Sequence, residues 1–165
     1  MSFALREHTA DVAVAATGTS LGETFAAVAE GLAAAMCEAI PESDPADDRV
    51  DGDRKDGLGA SRFDLAVRAE GREALLYDYL DELIYQRDVR GVLPVDNRAT
   101  VRCEEGRVGG EATGDGGDEQ WAIEASARGV PLDAIDAREV KAVTYSEMAI
   151  EERDGGWRAY VVFDV

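Results

Sequence analysis

Hydrophobic positions along the chain switch between two periods, and each switch marks an element. Residues 12–16 (VAVAA) form a small apolar run that closes at Gly18, the pattern of a short buried strand. The stretch "TSLGETF" then places Ser20 at a helix N-cap with Glu23 three residues on, a capping box. Leu21, Phe25, Val28, Leu32 and Met36 recur at helical spacing, which predicts a helix over about 21–37 with one apolar face, finished before Pro41. From Arg62 the period falls to two. Phe63, Leu65, Val67 and Ala69 alternate with Asp64, Arg68 and Glu70, as in a half-buried strand. "REALLYDYLDELIYQRD" returns to the helical period, with Leu75, Leu76, Tyr79, Leu80, Leu83 and Ile84 on one face and Asp78, Asp81 and Glu82 on the other. Short strands are predicted around 91–95 and 99–104, and "WAIEASARG" alternates again. "EVKAVTYSEMAIEE" and "WRAYVVFDV" read as a hairpin about Asp154-Gly155-Gly156.

Two amphipathic helices and six to eight strands that do not alternate as βαβ units predict an α+β fold on an antiparallel or mixed sheet. The order strand–helix–strand occurs twice, which suggests an internal duplication. A length of 165 residues fits one domain, 1–165, large enough to bury a core without staples. Two stretches, about 41–61 and 105–120, are acidic and rich in Gly, and are read as mobile loops.

Charge changes the picture more than any other total. Thirty-five acidic residues against seventeen basic give a formal net charge of −18, and lysine occurs only at 55 and 141. Such a surface suits a salt-rich, halophilic cytoplasm, where screening removes self-repulsion. Cation binding, a basic partner, or disordered acidic loops are the competing explanations. All of them argue against direct tight binding of nucleic acid, which needs clustered Lys and Arg. No transmembrane run or signal peptide is evident. Cys37 and Cys103 stand far apart, as reduced cytoplasmic thiols do, and with the lone His8 they do not readily make a zinc site.

Most familiar catalytic patterns are missing. "DGDRKDG" (51–57) fails as an EF-hand, because Lys55 and Arg62 fall where oxygen ligands are needed. "GDGGDE" (114–119) lacks the strand, helix and Lys of a phosphate loop, and no serine sits in a nucleophile turn. Two places remain. In "REHTADVAV", His8, Thr9 and Asp11 precede a strand, either as a surface turn or as part of a hard-cation site in which His8 only hydrogen-bonds. At the other end, Asp164 and the carboxylate of Val165 put two negative groups side by side, either as a solvated tail or as further oxygens for that ion. Lys141 and Tyr145 in "EVKAVTY" are candidate partner contacts. An ordinary cross-strand ion pair is the plainer role for Lys141.

"HTADVAV", "EALLYDYLDELIY", "EVKAVTY" and the terminal "VVFDV", in that order, resemble the archease family over most of the chain outside 41–61 and 105–120. The resemblance implies a fold in which one strand–helix–strand–strand module is nested in another. It implies a cytoplasmic accessory protein with no catalysis of its own, which helps a GTP-dependent tRNA-splicing RNA ligase of the RtcB type to become guanylylated and to turn over repeatedly. It implies a divalent cation, calcium or else magnesium or manganese, on Asp11, Asp164 and Val165. Ser146 departs from the histidine common in relatives, so no imidazole role carries over there. A metal-dependent phosphodiester hydrolase and a chaperone-like module for RNA-processing proteins are the rival readings.

Overall fold

The computed structural model of the chain describes residues 2–8, 11–37, 62–105 and 119–165. The element order is β1 (Ser2–His8), β2 (Asp11–Gly18), α1 (Leu21–Met36), β3 (Arg62–Ala69), α2 (Arg72–Arg90), β4 (Val92–Glu105), β5 (Glu119–Pro131), β6 (Ala142–Arg153) and β7 (Gly156–Asp164), with a short 3-10 turn at Leu132–Ala134. The strands form two sheets, β1-β2-β7-β6 and β3-β5-β4, and every pairing is antiparallel. The fold is α+β, and within the described residues neither sheet is mixed.

The suspected duplication is visible in this topology. The outer module runs β2-α1-β6-β7 with sheet order β2-β7-β6, and the inner runs β3-α2-β4-β5 with order β3-β5-β4. The inner module is inserted between α1 and β6. Within each module the first strand after the helix is bulged, β4 between Val95 and Arg98 and β6 between Thr144 and Ala149. Each bulge holds one non-glycine residue in the left-handed region, Asp96 at φ 47° and Glu147 at φ 59°.

The two helices form a layer that both sheets share. α1 packs against β2 of its own module and β4 of the other, and α2 packs against β3 and β6 in the same exchanged manner. Because both sheets press on α1, it is buried on nearly all sides rather than along one stripe; Phe25, Ala27 and Val28 are wholly inaccessible, and so is Thr24. That differs from the single apolar face its large residues suggest, since the positions between them are Ala, Gly and Thr, small enough to be enclosed. α2 keeps the expected stripe, Leu75, Leu76, Tyr79, Leu80, Leu83 and Ile84, with Arg87 added to its buried side.

Local signals explain where elements start and stop. Ser20 Oγ accepts from the Glu23 backbone N–H at 3.1 Å, as an N-cap does, while the Glu23 carboxylate reaches back to the Thr19 N–H at 2.9 Å and to the Thr19 hydroxyl. α2 ends on Gly91 at φ 66°, the left-handed C-cap for which glycine is the usual residue. Asp154 (φ 48°) and Gly155 (φ 78°) form the tight turn of the β6–β7 hairpin.

Several boundaries move. β1 has no counterpart among the predicted strands. The short strands 91–95 and 99–104 are one continuous β4 crossed by the bulge. β4 and β5 extend into the segment read as a loop, so that Glu105, Glu119 and Gln120 are strand residues. The remainder of that segment, 106–118, and the stretch 41–61 lie outside the described residues, as do the "DGDRKDG" stretch and most of "GDGGDE". No described helix is long and apolar enough to cross a membrane.

Candidate metal and partner site

The β2–β7 pairing sets Asp11 directly opposite Asp164. The same register level continues across the whole outer sheet: His8 pairs with Asp11 on one side, and Ala142 pairs with Asp164 on the other. Two segments almost a full chain length apart therefore meet in one row of four residues. Directly opposed residues of an antiparallel pair share a face, with Cβ atoms about 4.5–5.5 Å apart, and like charges there are destabilising unless offset. For His8 and Asp11 the backbone is described and the side chains are not. Thr9 lies outside the described residues.

The segment leading into β6 is fastened to this row. The Lys141 N–H donates to the Asp164 carbonyl at 2.8 Å. One residue earlier, the Val140 carbonyl accepts from Arg87 Nη1 at 3.0 Å, and the same nitrogen lies 3.3 Å from Met36 Sδ. Arg138 closes the link to α1, its N–H donating to the Met36 carbonyl at 2.7 Å and its Nε to the Ala35 carbonyl at 2.6 Å. A cationic side chain on the last carbonyls of a helix satisfies groups the helix leaves open and complements its dipole. Arg87 and Arg138 thus tie the ends of both helices to the segment that leads into β6 beside Asp164. Neither stands out in the sequence, because nothing local marks an arginine whose partners are carbonyls far along the chain.

The remaining candidates are placed as follows. Asp164 is exposed, and Val165 is half-buried against the core. Lys141 is exposed and precedes β6 rather than lying on a strand; among the described residues it has no cross-strand ion pair, so its link to the row runs through its backbone. Tyr145 is 55% exposed and stacks on Tyr77 of α2, ring centroids 4.2 Å apart and planes within 3°. Burial pushes its phenol up, with the Asp78 carboxylate adding to the effect and Tyr77 a lesser one. Among the described residues no group of three or more His, Cys, Asp or Glu gathers as a metal cluster. Cys37 is buried and Cys103 exposed, both as free thiols.

The model of the archease protein family (MTH1598/TM1083) matches residues 3–165. The chain belongs to the archease family. It is similar to the protein archease of Thermococcus gammatolerans, 34% identical over 163 residues, covering 96% of this chain and 95% of that one. The protein archease of Pyrococcus furiosus is 31% identical over 162 residues with the same coverage. Among solved structures, the solution structure of Methanobacterium thermoautotrophicum protein 1598 superposes with a TM-score of 0.67 at 25% identity, covering 99% of this chain and 98% of that one. The crystal structure of a Thermotoga maritima archease, described as a possible chaperone, gives a TM-score of 0.53 at 18% identity, covering 97% of this chain and 94% of that one. The last of these supports the archease fold alone.

Two of the four residues in the row, Asp11 and Asp164, carry carboxylates, the donor type that a hard divalent cation prefers. Such an ion takes oxygen ligands from separate segments, and here the pairing of β2 with β7 supplies carboxylate positions from both. Asp164 has no ion pair among the described residues that would otherwise neutralise it.

Proposed function

We propose that this archease activates a GTP-dependent tRNA-splicing RNA ligase of the RtcB type, promoting its guanylylation and multiple turnover, and that a divalent cation, calcium in the first instance, is bound by Asp11, Asp164 and Val165. Membership of the family supports the accessory role. The observation that carries the site is the Asp11–Asp164 register, since these two carboxylate positions face each other across a strand pair. A cation there offsets the repulsion of opposed negative groups and fixes the end of the outer sheet as a surface. Its contribution is charge and shape for a partner to recognise; the reaction belongs to the ligase. The protein's acidity favours a basic region on the ligase, with steering that weakens as salt rises.

The test is ligase guanylylation and RNA joining in concentrated KCl with and without the protein. Wild type is expected to stimulate at substoichiometric amounts, and Asp11→Ala and Asp164→Ala to lose the effect while remaining folded. Absence of stimulation by the wild type defeats the ligase reading. The ion is tested separately, by the rise in melting temperature on adding calcium. Wild type should show it and Asp164→Asn should not; an equal rise in both removes Asp164 from the site.

A further inference from the structure

We propose that the solvent side of α2 around the Tyr77–Tyr145 stack is a docking surface for an arginine-bearing segment of a partner protein. Among the described residues the large apolar side chains left exposed are Phe3, Tyr85, Val89 and Tyr145. Tyr85 and Val89 lie on α2, and Tyr145 lies against it through Tyr77. The β6 bulge sets Tyr145–Met148 opposite the single residue Val161, with Glu147 held at φ 59°, so the strand leaves its ladder where it delivers this ring.

The surroundings are acidic. Asp78 sits beside Tyr77 in sequence and Asp81 follows one turn on; burial and then Asp81 push the Asp78 carboxyl up, a crowding that a cation would relieve. Glu82 follows Asp81 and accepts a hydrogen bond from Gln86 at 2.8 Å. At both ends of the same helix an arginine already lies over an aromatic ring, Arg72 at 5.1 Å from the Trp157 centroid and Arg90 at 4.6 Å from that of Phe63. Among the described residues the central stack has no such cation. A guanidinium fits it better than an ammonium does, because it stacks flat on a ring while its N–H fork donates to carboxylates.

The probes are a hexa-arginine and a hexalysine peptide at about 0.15 M ionic strength, read by NMR of the tyrosine rings. This surface shares no residue with the ion row, and its readout does not involve the ligase. The expected result is that hexa-arginine shifts the Tyr77 and Tyr145 rings and binds roughly tenfold tighter than hexalysine. Tyr145→Leu should remove that margin, and Asp78→Asn should weaken both peptides. Tyr145 is exposed, so its variant keeps the core intact, which circular dichroism checks. Equal affinity for the two peptides, or a margin unchanged in Tyr145→Leu, means diffuse attraction to an acidic protein and overturns the proposal. Self-association lost in Tyr145→Leu, with no arginine-specific shift, assigns the face to a second copy and overturns it as well.

Discussion

Arg87→Met tests how far the row beside Asp164 depends on the helices behind it. The Arg87 side chain is 7% exposed and its guanidinium donates to the Val140 carbonyl at 3.0 Å, while Nε and Nη2 each lie 3.0 Å from Asp88, whose side chain is 64% exposed. Methionine keeps the unbranched stem and removes the charge. The Asp88 pair is open to water and contributes at most about 1 kcal/mol. The bond to Val140 matters more. Val140 is wholly buried, and a hydrogen bond from a charged donor is worth roughly 1.5–3 kcal/mol. The expected loss is about 2–3 kcal/mol. That is below the 3–5 kcal/mol typical of breaking a buried ion pair, because Asp88 stays hydrated. At about 2–4 °C per kcal/mol for a chain of this size, the melting temperature should fall by roughly 5–10 °C. Urea unfolding should move in step. Any rise in melting temperature that the proposed calcium site produces should also shrink, although no proposed ligand has changed. A variant within about 0.5 kcal/mol of wild type would show that the Val140 carbonyl finds another partner, and the fastening argument would fail.

Gly22→Ala sets two effects against each other. Alanine gains about 1 kcal/mol of helix propensity, but its Cβ would lie 2.5 Å from the Ala99 carbonyl oxygen and 3.0 Å from Thr100 Cα, backbone atoms that cannot turn aside. With overpacking at about 1–3 kcal/mol, the urea midpoint should fall; a midpoint at or above wild type would mean that α1 and β4 separate easily. Among the described residues the buried Tyr79 hydroxyl has no hydrogen-bond partner, so Tyr79→Phe should be neutral or stabilising by about 1 kcal/mol. A clear loss in thermal unfolding would reveal a bound water there. Hydrogen bonds from the Thr19 side chain and backbone hold the Glu23 carboxyl below its ordinary value of 4.5. Its contribution is therefore complete above that value and lost as pH falls through the lower folded pKa. The stability gap between wild type and Glu23→Gln should close on that acid side; a gap constant with pH would refute the role of the charge.

What the sequence makes legible is what its local pattern controls. The alternation from Phe63 to Ala69, the α2 stripe, the Ser20 cap and the Asp154-Gly155 turn all appear where the pattern places them. β1 is not legible because "SFALREH" offers too short an alternation and pairs along one edge of β2 only. The enclosure of α1 is not legible because alanine and glycine carry no face of their own; whether they are covered depends on which sheets arrive. The β4 bulge appears in sequence as a polar gap, Asp96-Asn97, because a bulge and a loop share that composition. Asp11 and Asp164 could be named as carboxylates at strand ends, but only the register shows them opposed. Arg87, Arg138 and the Tyr77–Tyr145 stack depend on contacts between distant segments and left no local trace.

The insertion of the inner module bears on the order of folding events. β2 and β7 can pair only after nearly the whole chain has been gathered, a closure of high contact order. The intervening module shortens that reach once it has compacted, so the Asp11–Asp164 row should be among the last features to form. The proposed ion would then act as a latch on a finished fold and not as a seed for it. In stopped-flow measurements calcium should accordingly slow unfolding while leaving the folding rate nearly untouched.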